Sequence, residues 1–512
     1  MPSLFERTAR DPRYIPSPAS RPAALLLPIA CIAFALAWIA AYAALIPLGE
    51  WRADEWDTFA FFREHGLGYL RHRTINWSFR PLSEVLLYLY AQAGFLTERQ
   101  LIAPFLALLW LGLGIAMAAA VFPQRRFGGR ELLLASALVS TLLALFLGGR
   151  RVDEVFYWTQ GAVAYVPTIA AIAYLVLSNL FTTADDLSRL RWGNAAAGVV
   201  AALSSEVGAT FAAAYAGATL AAMLLWPARR GDPLLRRRDA EFAFPLAAGL
   251  GVILMLASKR LGTTLETFGD KAVAHRPSIG LQASLEAFPH EVLSAAKGIH
   301  LSDALDYGAL ILPLLALGAF GIFRAIGRSR APEMPVRVAA IAVALVGAAF
   351  LSLFAGFYQF GADCCSRHAA TRYPMVALAV VCLAWIAAGW RRHEPTGRRA
   401  SRWTLAAPVA LASAAGLNGA KTFDALAEDY RTYGARLAQT EANWDAGLAP
   451  GSSMVFVPMT GRFVCWQHIM VDGTYVLGPD MPPNARYLAR FFGKPEVRIA
   501  GAGPGPLACP PV

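Results

Sequence analysis

The sequence predicts an all-α polytopic membrane protein with a small α/β appendage at its C-terminal end. Of 512 residues, 56% are hydrophobic and only 16% charged, and the mean hydropathy is +0.45. Soluble domains carry about 45–50% apolar and about 25% charged residues. Apolar runs of roughly 20 residues, enough to cross about 30 Å of hydrocarbon, recur along the chain. Basic residues bracket those runs, so the net charge of +11 reads as orientation in a bilayer and not as nucleic-acid binding. This composition excludes disordered, collagenous and disulfide-scaffold chains, and it argues against an ordinary cytosolic enzyme.

The runs fall at 22–48, 101–122, 131–148, 163–181, 242–258, 307–323, 338–357, 374–390 and 403–419. A further stretch, 195–226, is interrupted by Ser204-Ser205-Glu206 and reads as two short helices or a re-entrant hairpin. Together these give about eleven crossings by the 20-residue rule. The first run is too long, and its flank too Pro-rich, for a cleaved signal peptide, so it reads as a retained span. Segments 1–21, 123–130, 182–194, 227–241, 324–337 and 391–402 hold half of the 46 Lys and Arg in about a sixth of the chain. That asymmetry predicts a cytoplasmic N-terminal tail (1–21), a membrane domain (22–420) and an outer C-terminal segment (421–512). The long outer loops are then 49–100 and 259–306, with shorter ones at 149–162 and 358–373.

Within the first outer loop, 82–96 has helical spacing but is too short to span, which fits an interfacial helix. The stretch 280–297 predicts a second surface helix. In the C-terminal segment, Ser453 to Pro458 reads as a strand, Arg486 to Phe492 as a short helix and Val497-Arg498-Ile499 as another strand. Cys31 and Cys382 sit in apolar runs as small buried thiols. Cys364, Cys365, Cys465 and Cys509 all fall on the outer side, an even number that fits two disulfides in an oxidising compartment. Their spacing does not choose among the three pairings.

Five constellations carry candidate chemistry. Asp54-Glu55-Trp56-Asp57 sets three carboxylates in one turn just past the first span, and such a group suits a general base that deprotonates a hydroxyl or amide. A solvated acidic loop is the bland alternative. Arg80, before Pro81 at a helix start, offers a planar fork for phosphate or serves as an interfacial anchor. Glu154, Tyr157 and Trp158 combine an acid with aromatic rings, as a sugar site does, although belt residues look the same. Glu206 interrupts an apolar stretch and needs a partner or a watery cavity. Arg367, His368 and Arg372 give a basic lining to the 358–373 loop, as ordinary solvated charges also would. No spacing of Cys and His marks a zinc site, and no phosphate-binding glycine loop is present.

Taken together, Asp54-Glu55-Trp56-Asp57 after the first span, Phe79-Arg80-Pro81-Leu82 before a predicted interfacial helix, and Glu154 with Tyr157-Trp158, Gly161 and Tyr165 resemble the GT-C superfamily of integral-membrane glycosyltransferases. The Arg-Pro-Leu segment is similar to that of the tetratricopeptide-bearing O-mannosyltransferases, whose repeat domain this chain lacks. Asp54-Glu55 stands where the family often has Asp-Asp. The resemblance implies inverting transfer of a sugar from a polyprenyl-phosphate donor to a glycan, lipid or protein acceptor on the outer face of a bacterial inner membrane. It implies that Asp54 or Asp57 is the base, that Arg80, Arg367 and Arg372 hold the donor phosphate, and that Glu154 and Glu206 orient sugar hydroxyls. Some relatives use a divalent cation at the acidic motif; no metal or other cofactor is expected here, and no nucleic-acid partner. The rival readings are a flippase for lipid-linked sugars, which should show two symmetric halves, and a non-catalytic envelope assembly protein.

Overall fold

In the computed structural model, the described residues are 20–46, 51, 54–77, 79–122, 127–149, 152–182, 187–225, 239–261, 277–297, 310–326, 334–360, 366–390, 403, 405–420, 422–424, 426–428, 431, 454–456, 473–481 and 483–499. They form an all-α bundle with a small sheet appended. The helices are α1 (Ser20–Ala43), α2 (Asp54–His65), α3 (Leu67–His72), α4 (Pro81–Thr97), α5 (Ile102–Ala119), α6 (Gly129–Leu147), α7 (Thr159–Phe181), α8 (Leu187–Ser204) and α9 (Glu206–Leu225). They continue as α10 (Asp239–Leu261), α11 (Pro277–Lys297), α12 (Ile311–Ile326), α13 (Met334–Phe360), α14 (Ser366–Trp390) and α15 (405–420). π-Helical turns at Arg73–Trp77 and Asp153–Tyr157 precede α4 and α7.

Seven of these helices (α1, α5, α6, α7, α10, α13 and α14) are long and apolar enough to cross a membrane. The fold is therefore that of a multi-pass membrane protein. α12 is a shorter apolar helix. α7 is the axis of the bundle, buried over 89% of its apolar window and packed against α5, α8, α4 and α14. α1 and α5, by contrast, expose Leu25, Leu26, Phe34, Leu108, Leu111 and Ile115, as lipid-facing helices do.

The stretch read as two short helices or a re-entrant hairpin is two helices, of 18 and 20 residues, each about 27–30 Å long at 1.5 Å per residue and so longer than expected. The break is a helix cap. Ser205 is the one residue between α8 and α9, and its hydroxyl accepts from the Gly208 N–H at 3.0 Å as the N-cap of α9. The same hydroxyl meets Thr168 of α7 at 2.8 Å. Glu206 thus stands at a helix start and not in mid-span.

Hydrogen bonds show which helix ends lie together. At one end, Tyr157 donates to the Tyr42 carbonyl at the close of α1, Asn418 of α15 to the Leu145 carbonyl of α6, and Ser83 of α4 to the Ser204 carbonyl of α8. At the other end, Asn194, Tyr215 and Arg337 all converge on the buried carboxylate of Glu241. The Trp385 indole joins the Leu180 carbonyl at that same end.

α4 fills the 82–96 expectation. Its buried stripe is Ser83, Glu84, Leu87, Tyr90, Ala91 and Gly94, while Val85, Leu89 and Leu96 are exposed. The appendage orders its strands β1 (Met454–Phe456), β3 (Glu496–Ile499), β2 (Gly473–Val476). β3 is central, parallel to β1 and antiparallel to β2, and α16 (Pro483–Phe492) leads into it. The sequence reading missed β2. Cys31 and Cys382 are buried free thiols, as expected. Cys364, Cys365, Cys465 and Cys509 lie outside the described residues.

Candidate functional site

The site lies where the starts of α4, α7, α9 and α14 meet. Arg80 is the N-cap residue of α4, with Pro81 at the first helical position. Its guanidinium stands 3.8 Å from Glu206 at the start of α9 and 4.0 Å from Glu84 one turn along α4. Glu206 also faces His368, at 3.8 Å. His368 lies 5.9 Å, ring to ring, from Tyr165 of α7. Arg367 stacks its guanidinium on the Trp158 ring at 5.4 Å. Arg372, one turn beyond His368, is 3% exposed. Three arginines, a histidine and a glutamate thus converge from three elements far apart in sequence.

The charges continue toward the acidic helix. Glu84 takes Arg73 in a two-point ion pair, with Nε at 2.6 Å and Nη2 at 3.2 Å. Arg73 also donates to the Thr58 hydroxyl of α2 at 3.1 Å. Burial works against the charge on Arg80, yet the carboxylates of Glu206 and Glu84 hold its pKa above the ordinary arginine value.

Several polar atoms here are buried without a hydrogen-bond partner: Arg80 Nε, Glu206 Oε2, His368 Nδ1, Trp158 Nε1 and Gln160 Oε1. Such atoms are rare in folded proteins. Five of them lie in and beside one cluster, leaving hydrogen-bonding capacity there that the protein itself does not use. The separations of 3.8–4.0 Å around Arg80 are ion-pair contacts too long to be hydrogen bonds, so its donors are not saturated by the neighbouring carboxylates.

The acidic motif does not act as one group. Asp54 opens α2, and its side chain lies outside the described residues. Glu55 is fully buried and accepts the Gln160 N–H at 2.9 Å, satisfying one of the open donors at the start of α7. Asp57 points the other way, to Arg490 of α16 at 2.7 Å. Two residues apart on a helix is about 200° of rotation, which accounts for the divergence. Glu154 makes a similar cap, accepting the Arg367 N–H at 3.1 Å in the first turn of α14. Gly161 is required beside it, because a Cβ there would run into the Glu154 carbonyl. Tyr157 is buried, and its hydroxyl is held by the end of α1.

The structure therefore gathers Arg80, Glu206, Arg367, His368, Arg372 and Trp158, with Glu154 as a cap at their edge. It leaves Tyr157, Glu55 and Asp57 outside that cluster. Arg73, Glu84 and Arg490 escaped the sequence reading. For Glu84 a signal existed, since it falls in the apolar stripe of α4, one turn from Arg80. Among the described residues no group of three or more His, Cys, Asp and Glu side chains could hold a metal ion. No family model matches this chain, and neither curated proteins nor solved structures give a match.

Proposed function

We propose that this chain is a glycosyltransferase of a bacterial inner membrane, moving a sugar by inversion from a polyprenyl-phosphate donor to an acceptor at the outer face. The observation that carries the reading is the cluster of Arg80, Arg367, Arg372 and His368 at one end of an apolar bundle, with Arg372 buried and the other three partly buried. A lipid-linked phosphate can bring its charge to that depth while its tail stays in the bilayer. Guanidinium forks bind phosphate oxygens in pairs. Trp158 and Tyr165 supply ring faces for a pyranose, and Glu206 accepts from sugar hydroxyls.

In this reading an acidic-motif carboxylate removes the acceptor proton. The acceptor atom attacks the anomeric carbon, and the bond from that carbon to the phosphate oxygen breaks on the opposite face. The arginines hold the departing polyprenyl phosphate. Glu55 and Glu154 are occupied with helix N-termini, which supports positioning roles for them. Asp57, with a side chain 26% exposed, and Asp54 remain the candidates for the base. The same reading gives about eleven crossings, a cytoplasmic N-terminus and a periplasmic appendage, because every element of the site and the appendage then fall on one side. Its partners are the polyprenyl-phosphate sugar, membrane lipid and a glycan, lipid or protein acceptor.

The test uses proteoliposomes loaded with radiolabelled undecaprenyl-phosphate hexoses. Wild type should transfer label to an acceptor fraction. Arg80→Gln should lower the rate about 10²–10³-fold, the size of loss seen when one donor to transition-state charge is removed. Label that crosses the bilayer without transfer would instead identify a flippase. Unchanged transfer by Arg80→Gln, with the variant shown to be folded, would reject the phosphate site.

A further inference from the structure

The C-terminal appendage reaches back across the chain to the acidic helix. Arg490 of α16 donates to Asp57 Oδ1 at 2.7 Å and lies over the Phe61 ring at 4.7 Å, one turn further along α2. The next residue, Phe491, is 2% exposed. Its ring meets Trp51 at 5.6 Å, Trp56 at 5.1 Å and Phe95 at 6.3 Å, edge-on to the two tryptophans. Arg63 of α2 stacks on the same ring at 4.5 Å and donates to the Phe491 carbonyl at 3.0 Å.

These contacts divide the work. Phe491 and Arg63 are the docking contacts, because burying a large ring in an aromatic cage is a strong attraction. The pair of Arg490 and Asp57 is 41% and 26% exposed, and ion pairs that wet add little to docking. Yet the docked neighbour fixes the Arg490 backbone, and the planar fork then loses little freedom in gripping one carboxylate. What that grip does is set the rotamer of Asp57.

We propose that Arg490 is the positioning residue for Asp57, so that the appendage completes the acceptor side of the site. This rests on the transferase reading for its purpose, but the contact itself is tested without substrate. The full chain in nanodiscs is treated with a water-soluble carbodiimide and glycine ethyl ester, and coupling at Asp57 is read by mass spectrometry. Chymotrypsin cleavage after Phe491 reports docking. Arg490→Ala should raise coupling at Asp57 at least fivefold while Phe491 stays protected, and Arg490→Lys should restore part of the wild-type value. Arg63→Ala should lose the protection of Phe491.

In the transfer assay, Arg490→Ala should lower kcat tenfold or more with little change in the KM for undecaprenyl-phosphate sugar. Coupling at Asp57 that is unchanged in Arg490→Ala would overturn the proposal. So would loss of Phe491 protection in Arg490→Ala equal to that in Arg63→Ala, since Arg490 would then be a docking residue only. A wild type inactive toward every donor would reject the transferase reading, while coupling at Asp57 would still decide the role of Arg490.

Discussion

Replacing Glu84 by Leu tests the charge chain where it is most deeply enclosed. The side chains of Glu84 and Arg73 are 3% and 6% exposed, and the two share a two-point bond with the Thr58 hydroxyl alongside. Removing one partner of such a pair strands the other charge, and the usual cost is about 3–5 kcal/mol. Arg80 keeps Glu206 at 3.8 Å, so the loss falls chiefly on Arg73. Arg73→Met alone should cost a similar amount. The double variant Arg73→Met with Glu84→Leu removes both charges and should recover about 2 kcal/mol relative to the sum of the singles, within the coupling range of residues in contact. The assay is reversible unfolding in mixed micelles of rising SDS fraction, followed by tryptophan fluorescence. Glu84→Leu costing less than about 1 kcal/mol, the value of a solvated pair, would show that water reaches the site and that the burial argument is wrong.

Three further outcomes follow from the same geometry. Gly161→Ala should disrupt the turn Asp153–Tyr157 by driving its Cβ into the Glu154 carbonyl, and should lower the thermal midpoint more than Gly68→Ala, where a Cβ meets nothing within 4 Å. At the far end of the bundle, Glu241→Leu should cost about 3–5 kcal/mol, because Arg337 would lose its buried carboxylate; adding Arg337→Met should recover much of it in the same unfolding assay. Phe491→Ala should cost about 3–5 kcal/mol of docking energy, seen as faster amide exchange along α16 with little change in α7.

The long apolar helices were readable because each closes its own backbone hydrogen bonds and needs no partner to be recognised. α4 was readable from its stripe. β2 was not: it is four residues long, begins with Gly473, and takes its meaning from β3, which follows α16. The Ser205 break was visible as polar residues, but its nature depends on Thr168 of another helix. Site residues followed the same rule. Arg80, Glu206 and His368 stood out as ionisable groups at the margins of apolar runs. That Glu206 lies between Arg80 and His368 depends on how three loops close, about which local sequence carries no information. That Glu55 and Glu154 accept the N–H groups of Gln160 and Arg367 was not legible, because a helix-capping carboxylate and any other have the same formula and the capped helices start far along the chain.

The clasp of Phe491 between Trp51 and Trp56 also sets an order of events during biosynthesis. A ribosome adding about 5–20 residues per second needs roughly 20–90 s to travel from the first of these aromatic rings to the last. Throughout that interval Trp51 and Trp56 have their early neighbours, Phe59 and Tyr90 beside Trp51, but lack the ring of Phe491. A chain that stops before Phe491 never acquires the ring that packs edge-on against both tryptophans.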